Sequence, residues 1–166
     1  TLFTDGEKGE LLLSGLGIAR GYLNLPEETK ESLVDGWCTV GDLGKLDNEG
    51  YLYLVDRKKN VIISGGQNIF PREIEEVLHR HNAVSEVAVV GKKDDYWGEA
   101  VTAFIVLRPD KTTTPEELKN ECAKELARYK LPKEFLFVEK IPKNSTGKIL
   151  HRELREKINS DKDLNT

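Results

Sequence analysis

The chain has 166 residues, of which 25 are Lys or Arg and 29 are Asp or Glu, and its formal net charge is −4 at pH 7. Hydrophobic residues make up 38% and charged residues 33% of the sequence, and no apolar run is long enough to span a bilayer, so we predict a soluble globular protein. The negative charge gives no general attraction to nucleic acids or acidic membrane surfaces.

The two cysteines indicate a reducing compartment and not a metal site. Cys38 and Cys122 lie far apart, and neither has a second Cys or a His at metal-ligand spacing. Cys122 falls on the apolar side of a predicted helix, which favours a buried, reduced thiol. We therefore predict a cytoplasmic protein with no metal site in this chain.

Residues 1–56 are predicted to be mostly β. Three runs rich in aliphatic or aromatic residues indicate strands at residues 11–13, 37–40 and 51–55. Residues 47–50 are typical of a hairpin turn, and a short helix is expected to begin at Pro26. No predicted helix in this part is large enough to cover the strands, so it is expected to be an incomplete β piece that exposes Leu11, Leu13 and their neighbours.

Residues 57–158 alternate between strand and helix patterns and predict a compact α+β unit. Helices are expected at residues 71–81 and 115–129, the second with Tyr129 facing inward, and a last helix carries Leu150, Leu154 and Ile158 on one face. Strands are expected at 61–63, 84–90, 101–107 and 135–138. The predicted fold is a short antiparallel sheet flanked by helices, followed by a polar tail at 159–166.

Two residues of the β piece are candidates for binding a nucleotide. Asp42 is flanked by Gly41 and by Leu43-Gly44 at the end of a predicted strand, where its carboxylate can accept hydrogen bonds from both hydroxyls of a ribose. Its alternative role is to stabilise a turn. Arg57 can donate to the same sugar or to a phosphate, and its alternative role is as a member of a solvated basic cluster.

The other candidates lie on two loops. Gly65-Gly66 allows a ligand to approach the backbone closely, or is an ordinary strand-to-helix turn. Lys148 ends a loop of small polar residues, 142–148, which can place one mobile positive charge on a reacting phosphate. Pro142 and Ile149 stand where a phosphate-cradling loop of the NTPase kind needs Gly and Ser or Thr, so that type of loop is excluded. The alternative for Lys148 is a solvated surface lysine.

Three segments, in this order, closely resemble the adenylate-forming superfamily of acyl-CoA synthetases, peptide-synthetase adenylation domains and beetle luciferases. They are Gly41-Asp42-Leu43-Gly44, residues 56–75 and residues 142–148. The resemblance covers nearly the whole chain and is strongest for an acyl-CoA synthetase acting on a fatty acid or a related carboxylic acid. It implies a two-step ligase, in which a carboxylate and ATP form an acyl-adenylate and coenzyme A then takes the acyl group and releases AMP.

The resemblance also implies a role for each candidate residue. Asp42 holds the ribose hydroxyls with Arg57 beside it, and Lys148 bridges the carboxylate and the α-phosphate in the first step. Lys59 stands at the hinge about which the C-terminal domain turns. That rotation withdraws Lys148 from the reaction site and brings in the loop Ser64-Gly65-Gly66, which lines the channel for the pantetheine arm of coenzyme A.

The sequence departs from the family pattern at three positions. Val40 replaces a Thr before Gly41, although Thr39 is one place away, and Asn60 replaces a common Asp. His151 replaces a frequent Arg, which is expected to weaken a contact to a phosphate of coenzyme A. None of these removes a group that the two-step reaction needs.

The resemblance further implies that residues 1–56 end a large N-terminal domain and that residues 57–158 form the mobile C-terminal domain. The phosphate loop, most of the adenine contacts, the acyl pocket and the site of Mg²⁺ bound with ATP belong to the rest of that N-terminal domain, which is the expected partner of this chain. The chain alone is expected to be inactive. Two alternatives remain open, namely an adenylation enzyme that loads a carrier protein and a non-enzymatic binding module.

Overall fold

The computed structural model describes residues 7–160 and divides the chain after Lys59. We call Thr1–Lys59 unit 1 and Asn60–Thr166 unit 2. The division lies close to the domain boundary predicted between residues 56 and 57. None of the described helices is long and apolar enough to cross a membrane.

The described part of unit 1, residues 7–59, is built on one antiparallel sheet of four strands. Its elements are β1 (Lys8–Leu13), α1 (Pro26–Ser32), β2 (Leu33–Val34), β3 (Trp37–Leu46) and β4 (Leu52–Arg57). The long strand β3 pairs with each of the other three. The predicted turn at residues 47–50 is confirmed, since the Gly50 N–H donates to the Asp47 carbonyl at 3.0 Å.

The described residues of unit 1 form no hydrophobic core. Gly44 is their only buried residue, and every buried apolar side chain of the described chain lies at Ile62 or beyond. Leu12 and Leu13 of β1 are 48% and 47% exposed. The aromatic side chains of Trp37, Tyr51 and Tyr53, on β3, before β4 and on β4, are also exposed. The predicted exposure of this β piece is confirmed for Leu13 and its neighbour, while Leu11 is half-buried.

The described part of unit 2, residues 60–160, contains the larger sheet, of five strands, and three α-helices. Its elements are β5 (Ile62–Ser64), β6 (Gln67–Ile69), α2 (Pro71–His79), β7 (Val84–Asp94), β8 (Gly98–Leu107), α3 (Pro115–Glu125), β9 (Glu134–Phe137) and α4 (His151–Ser160). The strand order is β6-β5-β8-β7, and β9 pairs with β8. The pairs are antiparallel except for β8 with β9, which is parallel because α3 carries the chain back between them.

The central sheet of unit 2 buries apolar side chains on both faces. Successive residues of a strand point to opposite faces, and Val87 and Val89 of β7 accordingly belong to one cluster while Ala88 and Val90 belong to the other. The first cluster is completed by α2 and α3, and the second by α4 through Leu154 and Ile158. The predicted α+β fold with helices flanking the sheet is confirmed.

Several element boundaries differ from the sequence prediction. The helix predicted at 115–129 ends at Glu125, because Leu126 turns to an extended conformation, with φ −107° and ψ 144°, and buries its side chain. Tyr129, predicted to face inward, instead lies in a 3-10 helix and is 50% exposed. Helix α4 includes Asn159 and Ser160 of the predicted tail, whose remainder lies outside the described residues.

The thiol of Cys122 is expected to be almost unreactive in the folded protein. Cys122 is unpaired and fully buried, and burial, with Glu121 and Glu125 nearby, raises the pKa of its thiol to about 11. About one thiol in a thousand is then ionised at pH 8, and the thiolate is the reactive form. A chromogenic disulfide reagent should therefore modify Cys38, which is half-buried, well before Cys122.

Loosening the core should expose Cys122 to the reagent. Leu118 is fully buried in the same cluster, and Leu118→Ala should lower the free energy of unfolding by about 2–5 kcal/mol and speed labelling of Cys122. Lys119→Ala, at the exposed neighbouring position, serves as the matched control and should change neither. Equal labelling rates for Cys38 and Cys122 in the unmodified protein at pH 8 would contradict the assignment.

Candidate functional site

Asp42 and Arg57 form an ion pair in unit 1. They are directly opposite each other on β3 and β4, and Arg57 Nε donates to Asp42 Oδ1 at 2.9 Å. The side chains of Asp42 and Arg57 are 28% and 40% exposed, so a ligand can reach both. The pair therefore offers an oriented carboxylate with a second oxygen that can accept hydrogen bonds from hydroxyl groups.

The prediction that Asp42 ends a strand is wrong. Strand β3 continues through Gly41 and Gly44 to Leu46, and its register with β4 shifts between Leu43 and Gly44. Gly41 has φ +71°, a conformation that few other residues adopt, and Gly44 lies close against Leu52. The two glycines allow an irregular strand rather than a strand end, and that irregularity surrounds Asp42.

A second polar cluster lies on the same sheet and is absent from the sequence prediction. Lys58 Nζ donates to Glu10 Oε2 at 2.7 Å, and the Thr39 hydroxyl donates to Glu10 Oε1. The hydrogen bond from Lys58 and then that from Thr39 hold the pKa of Glu10 below its usual value. The signal in the sequence is a lone carboxylate beside the apolar run of β1, but its partners are set by strand pairing. The hydroxyl of Thr39 is thus hydrogen-bonded to Glu10 in this structure.

Lys59 occupies the boundary between the units. It is exposed, is the last residue of unit 1 and lies within the 3-10 helix Lys58–Asn60. Its assignment as a hinge stays a prediction.

Ser64, Gly65 and Gly66 belong to a β-hairpin, which the sequence analysis described only as a glycine loop. Ser64 of β5 pairs with Gln67 of β6, and the glycines between them have φ of +57° and +76°. A two-residue turn of this kind needs positive φ at both central positions, and Gly-Gly meets that need. The signal was therefore present in the sequence. We call residues 64–67 the glycine hairpin.

The two glycines of this hairpin have different surroundings. The Gly65 N–H donates to the Trp97 carbonyl at 2.8 Å, and a Cβ on Gly65 would lie 2.8 Å from the Trp97 indole. A Cβ on Gly66 would meet nothing within 4 Å. The close approach predicted for this pair is made at Gly65 by the protein itself, while the backbone at Gly66 stays open.

Lys148 projects from a loop whose backbone is held by one side chain. We call residues 142–148 the lysine loop. Asn144 Oδ1 accepts hydrogen bonds from the Lys148 N–H at 2.9 Å and from both the N–H and the hydroxyl of Thr146. The Asn144 backbone also donates to the Lys148 carbonyl at 2.9 Å, and the turn closes through Gly147, with φ +81°. Sequence reasoning identified Lys148 but not the role of Asn144.

The Lys148 ammonium group is free to act on a ligand. Lys148 is exposed, and within residues 7–160 its side chain makes no ion pair or hydrogen bond. A fixed backbone with an unpaired side chain gives a cation that can reach an anionic group without first breaking a bond to the protein.

A groove of about 710 Å³ lies beside the lysine loop in unit 2. It is lined by residues of α2 and β7 and by Lys143, Gly147 and Ile149 of the loop region, and its charges are mixed. Lys143 Nζ lies 2.8 Å from Glu86 Oε1 across this groove. His151 Nε2 lies 3.2 Å from Glu75 Oε1, so the histidine at this departure from the family pattern has a partner inside unit 2.

The structure thus pairs two of the predicted site residues and places the others in a different unit of the chain. Asp42 and Arg57 are paired in unit 1, whereas the glycine hairpin and Lys148 belong to unit 2. Their joint action at one site stays a prediction. Among residues 7–160, no group of three or more His, Cys, Asp or Glu side chains is arranged to hold a metal ion.

Comparison with known proteins shows similarity to the AMP-binding enzyme C-terminal domain and to acid–CoA ligases. Residues 73–148 match the family model of the AMP-binding enzyme C-terminal domain. The chain is 46% identical over 151 residues to 2-succinylbenzoate–CoA ligase of Bacillus cereus strain Q1, and 47% identical over 150 residues to a long-chain-fatty-acid–CoA ligase of Bacillus subtilis. These alignments cover 91% and 90% of the chain.

A solved structure gives the same likeness in three dimensions. The o-succinylbenzoate CoA synthetase of Bacillus subtilis, in complex with its acyl-adenylate intermediate, superposes with a TM-score of 0.86 at 40% identity, over 92% of this chain. That superposition covers 31% of the synthetase, and the two sequence alignments cover 31% and 27% of their relatives. The chain therefore spans about a third of the length of the proteins it resembles.

Replacing Asn144 should loosen the backbone at Lys148. Asn144→Ala removes the oxygen that accepts three hydrogen bonds, so the amide of Lys148 should exchange its hydrogen about tenfold faster. Amide exchange followed by NMR measures this. The neighbouring Ser145 is exposed and its side chain makes no hydrogen bond to another described residue, so Ser145→Ala is the matched control. Unchanged exchange at Lys148 in Asn144→Ala would show that the loop is held by other contacts.

Proposed function

We propose that the chain belongs to the AMP-binding enzymes, whose C-terminal domain residues 73–148 match, and that it is part of an ATP-dependent carboxylic acid–CoA ligase. The observation that carries this proposal is the Lys148 ammonium, which has no partner within residues 7–160 and stands on a loop whose backbone is held by Asn144. The alternative of an enzyme that loads a carrier protein shares the first step and differs only in the thiol that accepts the acyl group.

The first step of the proposed reaction needs charge neutralisation at phosphorus. A carboxylate oxygen attacks the α-phosphorus of ATP, the bond to pyrophosphate breaks, and an acyl-adenylate forms. Both reactants are anions, so a cation placed between them lowers the barrier, and Lys148 has no competing partner within the described residues. Asp42 accepts hydrogen bonds from the ribose hydroxyls while Arg57 orients its carboxylate.

The second step needs an open path for a thiol. The sulfur of coenzyme A attacks the acyl carbon, and AMP leaves with the electrons of the broken anhydride bond. In this proposal the glycine hairpin lines the channel for the pantetheine arm. The open backbone at Gly66 supports this, because a narrow arm can lie against a residue that has no side chain.

The two steps are proposed to alternate by rotation of unit 2 about Lys59. The division of the chain immediately after this residue supports a hinge at that point. Such a rotation withdraws Lys148 after the first step and admits the glycine hairpin for the second. One site can then serve two reactions whose requirements conflict.

The rest of the proposed enzyme is a large domain that covers the sheet of unit 1. The exposed apolar side chains of β1 and β4 support such a partner, because an uncovered sheet face is unfavourable in water. We propose that this domain holds the acyl pocket and the Mg²⁺ that accompanies ATP. A fatty acid or related carboxylic acid is the proposed substrate, and the free thiols of Cys38 and Cys122 favour the cytoplasm.

Replacing Lys148 should block the first step and spare the second. In the full-length enzyme, Lys148→Ala should slow acid-dependent ATP–pyrophosphate exchange by about 100-fold to 1,000-fold. This is the usual cost of removing one donor that stabilises charge in a transition state. Transfer from preformed acyl-adenylate to coenzyme A should change little. Lys140→Ala, at an exposed position shortly before the lysine loop, is the matched control. Normal exchange in Lys148→Ala would remove the role proposed for this lysine.

The chain by itself should not form an acyl-adenylate. It contains the pair Asp42–Arg57 and Lys148, but the proposed acyl pocket and phosphate contacts belong to the larger domain. Incubation of the purified chain with ATP, Mg²⁺ and 2-succinylbenzoate or a long-chain fatty acid should yield no acyl-AMP by mass spectrometry, while the full-length enzyme should yield it with its own acid. Detection of acyl-AMP from the chain alone would overturn the assignment of the acyl pocket and phosphate contacts to the larger domain.

A further inference from the structure

We propose that Glu99 is a positioning residue that holds the glycine hairpin in place for the thiol-transfer step and has no part in adenylation. The contacts that carry this proposal are within unit 2 and do not depend on any ligand. Its functional consequence rests on the proposed function, because only there does the hairpin act in the second step.

The glycine hairpin is attached to the central sheet by very little backbone pairing. Strand β5 has three residues, and its pairing with β8 is limited to Ser64 opposite Gly98. Beside that pair, the Ile63 N–H donates to Glu99 Oε2 at 2.7 Å, and on the other side the Gly65 N–H donates to the Trp97 carbonyl at 2.8 Å. A side-chain carboxylate thus takes the place of a backbone acceptor in the ladder.

The Glu99 carboxylate lies in a space that Gly91 leaves open. Gly91 is buried on β7, and a Cβ at this position would lie 2.7 Å from the Glu99 carboxyl carbon and closer still to one carboxylate oxygen. The φ angle of Gly91 is outside the left-handed region, so its backbone does not itself require glycine. The absence of a side chain at Gly91 therefore makes room for the bond between Glu99 and Ile63.

The second attachment is fixed through the turn between β7 and β8. Asp94 Oδ1 accepts the N–H groups of Trp97 at 2.8 Å and Tyr96 at 3.0 Å. Lys133 Nζ lies 4.4 Å from the centre of the Trp97 ring, at the distance of a cation–π contact. With this turn fixed, the Trp97 carbonyl and Glu99 together set the position of the hairpin relative to the sheet.

These attachments are separate from those of Lys148. The lysine loop is held by Asn144 and closes on itself between Lys143 and Ile149, and none of its hydrogen bonds within the described residues involves Glu99 or Trp97. A displaced hairpin should therefore impair attack by the thiol, which depends on placement to within about 1 Å, and leave adenylation intact.

The test uses the full-length enzyme with Glu99→Ala, Glu99→Gln and Gly91→Ala. Glu99→Ala removes the acceptor, and Gly91→Ala pushes the carboxylate away while Glu99 itself is kept. Each should lower kcat/KM for coenzyme A about tenfold, whereas Glu99→Gln should stay within about threefold because its amide oxygen can accept the Ile63 N–H. ATP–pyrophosphate exchange should change less than about twofold in all three.

A structural measurement separates this proposal from the proposed function. Hydrogen exchange at residues 62–66 should be about tenfold faster in Glu99→Ala and Gly91→Ala and near normal in Glu99→Gln. Glu121→Ala, which removes a carboxylate paired with Lys124 on the surface of α3, is the matched control and should change nothing. An unmodified enzyme that makes no acyl-CoA would refute the proposed function, while the exchange data would still test the attachment.

Three results would overturn the role of Glu99. One is normal hydrogen exchange at residues 62–66 in both Glu99→Ala and Gly91→Ala. Another is normal kcat/KM for coenzyme A in those variants when exchange is faster. The third is an equal loss of ATP–pyrophosphate exchange, which would indicate general damage to the fold. Should Glu99→Ala fail to fold, Gly91→Ala and Glu99→Gln provide the same comparison.

Discussion

The antiparallel pairing of β7 with β8 organises unit 2, because these two strands bury apolar side chains on both faces of the sheet and β8 also pairs with β5 and β9. One face packs on α2 and α3 and the other on α4, so the alternation of side chains along two strands builds two cores at once. The turn at one end of the pair holds the glycine hairpin, and β9 pairs along β8 before the chain enters the lysine loop. Both loops of the proposed mechanism therefore start from one rigid support.

Unit 1 is held together by different interactions. Its long strand β3 pairs with the three other strands of the sheet, yet the described residues of unit 1 bury no apolar side chain. Its specific contacts are instead partly exposed ion pairs, such as Asp42 with Arg57 and Glu10 with Lys58. Exposed pairs contribute little to stability, about 0–1 kcal/mol each. A sheet held in this way is suited to present polar groups to a ligand, while its apolar residues are available to a covering domain.

Single side-chain acceptors hold the backbone at both proposed functional loops. Asn144 accepts from Lys148, and Glu99 accepts from Ile63, each where the chain lacks a full strand ladder. Such a hydrogen bond contributes only about 1 kcal/mol, but it removes backbone freedom at the residue that acts. The groups proposed to meet a ligand, the Lys148 ammonium and the Gly66 backbone, have no close partner among the described residues. Rigid support next to an open group is what placement of a reacting atom requires.

Local signals in the sequence were sufficient for the fold class, the main elements of unit 2 and the likeness to AMP-binding enzymes. Period-two and period-3.6 patterns identify strands and helices, and Pro71 and Pro115 mark helix starts, because these features act within a few residues. The same holds for the reduced, buried state of Cys122. Asp42, Arg57 and Lys148 were selected as candidates through their motifs, since each stands in a short and specific run of residues, and their roles stay predictions.

Only the tertiary structure decided what depends on partners distant in sequence. Whether Asp42 ends a strand or lies within an irregular one depends on the pairing of β3 with β4. Whether Tyr129 faces the core or the solvent depends on where the chain leaves α3 to bury Leu126. The link from Glu99 to Ile63 spans 36 positions and needs the space at Gly91, and no local pattern encodes such a meeting. Side chains of this kind acquire a role through the folded geometry, because a hydrogen bond is specified by distance and direction rather than by order along the chain.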